Sequence, residues 1–281
     1  MYSLKIAEKL LNWGCALSAE IIDSHVHVMC PVETQLELLK DAGVDRAILF
    51  PTIVHPEKSE NMDEFKNEID VLNRILRGKI NPLEARISSI GELVSVINES
   101  DGMFSGFGSV PAGQDYAYTS VWIEKYIVNN NLIGAGEITF GAGEAYKTEN
   151  IFKALSDYGN RFPLWIHTFN PLTFDDIRTI AGFSEKYKGV KTILGHGGGS
   201  YWLETIELIK DKPDIYFDIS ALFSVLPLKY SALEFPDRVL FSSDMPYGNP
   251  CLARNTVEYV IRDKTVRGLI LGENILNLLK Q

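Results

Sequence analysis

IIDSHVHV, residues 21–28, runs apolar and β-branched residues into a His-x-His pair. Side chains at i and i+2 of a strand point the same way, so His25 and His27 aim two imidazoles at one small volume. The run is also the first of a series. EIIDSHVHV (20–28), RAILFPTI (46–53), FSGFGSV (104–110), LIGAGEITF (132–140), PLWIHTF (163–169), VKTILGHGG (190–198), DIYFDIS (214–220) and RVLFSSDMP (238–246) make eight candidate strands. Helical period predicts helices between them over 32–42, 61–77, 118–130, 148–160, 173–187 and 202–210. Strands that are apolar throughout, rather than alternating, belong to a parallel sheet covered by helices on its outer face. Eight such units in 281 residues predict an α/β fold, a (β/α)8 TIM barrel in a single domain over 1–281. The connection 79–104 and the stretch ALFSVLPLKYSALEF (221–235) show no clear period, and GLILGENILNLLK (268–280) predicts a final turn and helix.

Composition narrows the class. A hydrophobic content of 46% allows a large core, and no linker, charge block or repeat divides the chain. A formal net charge of −10 opposes approach to phosphate backbones and anionic membranes. The expected partner is a small-molecule substrate, with no nucleic acid and no membrane; homo-oligomerisation stays open. Three cysteines, Cys15, Cys30 and Cys251, are too few and too odd in number for a disulfide framework, which suits a cytoplasmic protein. No apolar stretch approaches a membrane span. Lys5, Glu8 and Lys9 interrupt the N-terminus, so 1–19 predicts an amphipathic helix before the first strand rather than a signal peptide.

The polar residues within the apolar runs share one position. Glu137 lies near the end of the fourth run, His167 ends the fifth, His196 the sixth and Asp244 the eighth. In a closed parallel barrel these ends form one rim, so His25, His27, Glu137, His167, His196 and Asp244 converge. Taken singly, each has an ordinary explanation as a core polar residue, an ion-pair partner or a helix cap. Six such explanations landing on one rim are less economical than a single divalent metal site. Imidazole and carboxylate donors without an obligatory thiolate suit zinc best, with manganese, iron, cobalt or nickel compatible, as one ion or two. A metal lowers the pKa of its water to about 7, and Asp244 could then orient that water and carry its proton. Such a site hydrolyses lactone, amide or ester bonds.

These residues resemble the amidohydrolase superfamily over essentially the whole chain: His-x-His on the first strand, histidines ending strands five and six, aspartate ending strand eight. FGSVPA, ILGHGGG, LFSSDMPYG and GENILNLL are most similar to the amidohydrolase-related (amidohydrolase 2) branch, which includes lactonases and nonoxidative decarboxylases. By that resemblance His25, His27, His167 and Asp244 are metal ligands, and His196 polarises substrate or positions water. IGAGEITFG departs from the mononuclear pattern, because Glu137 resembles the strand-four glutamate of TatD-type hydrolases, where a carboxylate bridges two metals.

The expected function is therefore metal-dependent hydrolysis of a small carbonyl compound, with nonoxidative decarboxylation on the same site as the alternative. A TatD-type phosphoesterase fits an acidic chain less well, and a barrel that binds metal without turnover is the remaining reading. His55 after the second strand reads as an exposed loop residue. Arg254 could clamp a substrate carboxylate or sit solvated on a helix. Cys30 and Cys251 read as packing residues. The glycines of HGGGS could hold an anion or serve close packing.

Overall fold

The eight runs form eight parallel strands: β1 Ile22–His27, β2 Arg46–Phe50, β3 Phe104–Gly108, β4 Gly134–Ile138, β5 Leu164–His167, β6 Thr192–Gly195, β7 Ile215–Asp218 and β8 Val239–Leu240. They pair in chain order in a computed structural model that describes residues 20–280. The helix predicted over 1–19 lies outside the described residues. β8 is shorter than its apolar run because the chain after Leu240 turns to meet β1. Ser24 N donates to Phe241 O at 2.9 Å, Asp244 N to His25 O at 2.8 Å and His27 N to Met245 O at 2.8 Å, which brings the two ends of the sheet together as a barrel.

Aromatic rings fill the interior. Phe50 on β2 and Trp165 on β5 belong to strands that are not neighbours, yet their ring centroids lie 5.2 Å apart, and Phe107 stands 5.2 Å from Phe50. Ile22, Ile48, Ile193 and Leu240 pack around them, with Ile275 and Leu278 entering from the C-terminal helix Asn274–Leu279. Each buried side chain of this size stabilises the fold by about 1.5–3 kcal/mol. β4 supplies the space: a Cβ on Gly134 would stand 2.3 Å from the Phe107 ring, and one on Gly136, at φ +152°, 2.6 Å from Trp165 Cβ. The larger core lies between strands and helices, where Leu49, Ile166 and Phe217 meet Leu39, Phe152 and Ile177.

The helices sit where period and caps direct them: Val32–Asp41, Met62–Leu76, Tyr116–Tyr126, Glu149–Ser156, Phe174–Lys186 and Trp202–Ile209. Asn61 caps the second through Asp63 N and Glu64 N. Asp115 starts the third two residues ahead of its apolar period by accepting from Tyr118 N. Thr173 and Asp176 form a reciprocal capping box on the fifth. The connection 79–104 holds a helix, Leu83–Glu99, and 221–235 holds a short one, Leu226–Glu234. Among the described residues no helix is long and apolar enough to cross a membrane.

Three sequence readings are settled by placement. Arg254 donates to Ala42 O at 2.7 Å and Gly43 O at 3.0 Å and pairs with Glu258, so it ties two helices together away from the rim. Cys251 is exposed and Cys30 half-buried, so neither is a core packing residue. His55 is partly buried rather than exposed, held by Glu57 at 2.9 Å.

Candidate metal centre

Two strands reach the rim through irregularities. Between Asp23 and Val26, β1 carries one more residue than β2 opposite it, and between Ala135 and Ile138, β4 carries one more than β5. An extra residue re-aims the side chains that follow it. His25 and Glu137 occupy these irregular stretches, which turn both toward the barrel axis. His196 and Asp244 follow β6 and β8 with φ of +62° and +59°. A left-handed φ costs a non-glycine residue of order 1–3 kcal/mol and persists where surrounding bonds hold it. Here Asp218 Oδ2 accepts from His196 N at 3.1 Å, and His25 O accepts from Asp244 N at 2.8 Å.

All six predicted residues meet. His27 Nε2 lies 3.3 Å from Asp244 Oδ1 and 4.0 Å from Glu137 Oε2, while His25 Nε2 lies 3.8 Å from Asp244 and 4.0 Å from Glu137 Oε1. His167 Nδ1 stands 3.1 Å from Glu137 Oε1, and His196 Nε2 3.2 Å from the same oxygen. Two sets have donor atoms all within 4.8 Å of one another, His25 with His27 and Asp244, and His25 with Glu137 and His196; His167 belongs to neither.

Sequence reasoning missed Asp218. It ends β7, fully buried, and its Oδ2 lies 3.0 Å from His25 Nδ1 while accepting from Ser220 Oγ at 2.9 Å. Its position at a strand end was the available signal, the same one that singled out His167 and Asp244.

The electrostatics favour a cation. Burial alone would lower the His25 pKa, but the hydrogen bond that His25 donates to Asp218 and the charges of Glu137, Asp218 and Asp244 outweigh it and raise the value to about 10. Burial would raise the carboxylates, yet the surrounding imidazoles hold Asp244 low and Glu137 well below the usual range, and His25 takes Asp218 to about 2. Burial does raise Asp23, one strand residue before Ser24, to about 7. His25 Nε2 has no hydrogen-bond partner although it is buried. With Nδ1 bonded to Asp218, Nε2 faces Glu137 and Asp244, and a divalent ion there would take the lone pair that otherwise holds the second proton, the arrangement typical of a metal-binding histidine with a carboxylate behind it. Donors about 2.0–2.2 Å from one divalent ion stand roughly 3–4 Å from one another, so the residues present fit such an ion.

The cluster opens into a cavity of about 300 Å³. Ile53, Val54, Leu72, Ile75 and Leu76 give it an apolar wall, and Arg86, from the connection left unassigned by sequence, lines it with Ser109 and Thr139.

The family model described as Amidohydrolase matches residues 136–281. No curated protein matches the chain. Similar solved structures include 5-carboxyvanillate decarboxylase from Sphingomonas paucimobilis, 15% identical, TM-score 0.68, with 94% of this chain and 99% of that one covered. The 2,6-dihydroxybenzoate decarboxylase from Rhizobium is 15% identical, TM-score 0.66, covering 93% and 98%. A dihydroxybenzoic acid decarboxylase from Polaromonas, with bound manganese and 2-nitroresorcinol, is 17% identical, TM-score 0.65, covering 93% and 97%. At these identities the likeness is one of fold.

Proposed function

We propose that this chain, which belongs to the amidohydrolase family, is a metal-dependent enzyme that decarboxylates a small carboxylic acid without oxidation. The observation that carries the reading is the set of buried His25 and Asp244 with half-buried His27, beside an apolar cavity, with His25 Nε2 unpartnered. His25, His27 and Asp244 hold a divalent ion, with Glu137 and His167 on the adjoining side. Zinc suits the imidazoles and manganese the carboxylates equally well, and manganese is the ion in the Polaromonas decarboxylase. When bound, the ion supplies positive charge for a substrate oxygen.

The chain's own residues do the rest. Asp244, ionised at neutral pH, begins as a proton acceptor. As the bond to the carboxyl carbon breaks, carbon dioxide leaves and the electron pair stays on the remaining carbon. Asp244 delivers to that carbon a proton taken from substrate or water. His196, held by Ser220 Oγ at 2.8 Å, faces the cavity and can bond a substrate oxygen. The apolar wall excludes water, which suits release of a neutral gas from a charged reactant.

Hydrolysis of a lactone, amide or ester is the second reading, and Asp244 beside His27 favours it: the same carboxylate can take a proton from water and pass it to a leaving group. Turnover of aromatic carboxylates, lactones and amides by the reconstituted protein in ¹⁸O-labelled water separates the two. Carbon dioxide release with no label entering the organic product supports decarboxylation, and label in a carboxylate product supports hydrolysis. No turnover in any class would refute both.

A further inference from the structure

Arg86 is the only lysine or arginine side chain among the residues that line the cavity. Its surroundings are unusual for a buried cation. Buried Arg238 gives four bonds to the carbonyls of Ile209, Lys210, Lys212 and Ile215, whereas among the described residues Arg86 has neither such a set nor a carboxylate partner. Nη1 donates to Ser109 Oγ, Nη2 donates to Asn81 Oδ1 at 3.3 Å, and the buried Nε has no acceptor. Burial, with no acid to offset it, lowers the guanidinium to about 10. Ser109 is itself fixed, since its carbonyl accepts from Trp122 Nε1 at 3.0 Å. Each terminal nitrogen therefore has one partner and a second N–H still to give, and Nε has none.

We infer that Arg86 and Ser109 form an anion subsite, so that the substrate is an apolar-bodied acid carrying a carboxylate distinct from the group that reacts at the His25–His27–Asp244 cluster. A guanidinium fork matches a planar carboxylate through two parallel bonds. A doubly charged phosphate would lose more hydration against Ile75, Leu72 and Val54 and has one arginine to meet it. The apolar wall between the two polar patches suits the hydrocarbon body that joins the two groups. This inference rests on the proposed reaction centre for the identity of the second group, while the subsite itself does not.

The test uses manganese-reconstituted protein and titration calorimetry with glutarate, adipate and pimelate, each against its own monoamide. In the wild type the best-fitting diacid should bind at least about 10-fold more tightly than its monoamide, the usual gain for a charge-assisted bond pair. In Arg86→Gln the preference should fall within about 2-fold, with monoamide affinity and metal content unchanged, and Arg86→Lys should lie between. Equal binding of diacid and monoamide by the wild type, or a preference that survives Arg86→Gln, would overturn the subsite. Metal content measured on the same samples separates the outcomes: protein that takes up no metal yet keeps an Arg86-dependent preference overturns the reaction centre and leaves the subsite standing. If Arg86→Gln does not fold, Arg86→Lys and the wild-type contrast decide.

Discussion

Asp218 Oδ2 stands 3.0 Å from His25 Nδ1, and that contact leaves Nε2 as the nitrogen that faces Glu137 and Asp244. A carboxylate behind a ligating histidine fixes ring and tautomer, and its loss costs about 10–100-fold in metal affinity. Asp218→Asn should show that loss in a chelator competition with zinc or manganese, with the far-ultraviolet dichroism of the barrel unchanged. Unaltered affinity would make Asp218 a structural residue only.

The chain should hold one ion. His25 Nε2 belongs to both candidate donor sets, and with Nδ1 engaged by Asp218 it has a single lone pair to give. Stoichiometry after reconstitution should be about one per chain in the wild type and in Glu137→Gln, with weaker affinity in the variant. Two ions in the wild type falling to one would establish Glu137 as a bridge between metals.

Asp244→Asn should fold normally, since asparagine tolerates the left-handed φ of +59° as well as aspartate does. It keeps one oxygen but cannot carry a proton, so turnover should fall by at least about 10²-fold. Activity near that of the wild type would remove Asp244 from the proton path.

Asp176, at the start of the helix Phe174–Lys186, stabilises the fold as a carboxylate. Burial would raise its pKa, but donation from Gly143 N, Thr173 N, the Thr173 hydroxyl and Ala145 N outweighs this and lowers it. A group with a lowered folded pKa stabilises above its unfolded pKa and loses that contribution as pH falls through the folded value. Asp176→Asn offers one acceptor oxygen in place of two and should cost about 1–3 kcal/mol at pH 7. The gap in denaturant midpoint should begin to narrow as pH falls below about 4 and level off only below the lowered folded value, where Asp176 too is neutral. A gap independent of pH would contradict the charge-based account.

The legible part of this molecule was what obeys strand geometry. Apolar runs gave the barrel, and the polar residues ending them gave His167, His196 and Asp244, because a parallel barrel brings strand ends together whatever their distance in sequence. Glu137 was found by position alone. Simple alternation sets it opposite the inward Gly134 and Gly136, and only the extra residue in β4 turns it to the axis. Asp218 satisfied the same strand-end rule and was passed over because DIYFDIS also reads as an ordinary polar strand end. Arg86 was out of reach: the helix that carries it starts after Pro82 with no side-chain cap and buries only Ser89, Ile90, Leu93 and Val96. Ile90, Leu93 and Val96 do follow helical period, but no capping side chain marks where the helix begins, and Arg86 lies a turn before that apolar stripe.

On the geometry of the rim, His25 and His27 hold a divalent ion with Asp244. Elemental analysis of reconstituted wild type beside the double variant His25→Ala, His27→Ala measures it most directly. About one ion per chain is expected in the wild type and almost none in the variant, both folded, because the barrel core of Phe50, Phe107 and Trp165 does not depend on the metal. Equal metal content in the two proteins, or none in the wild type, would contradict it.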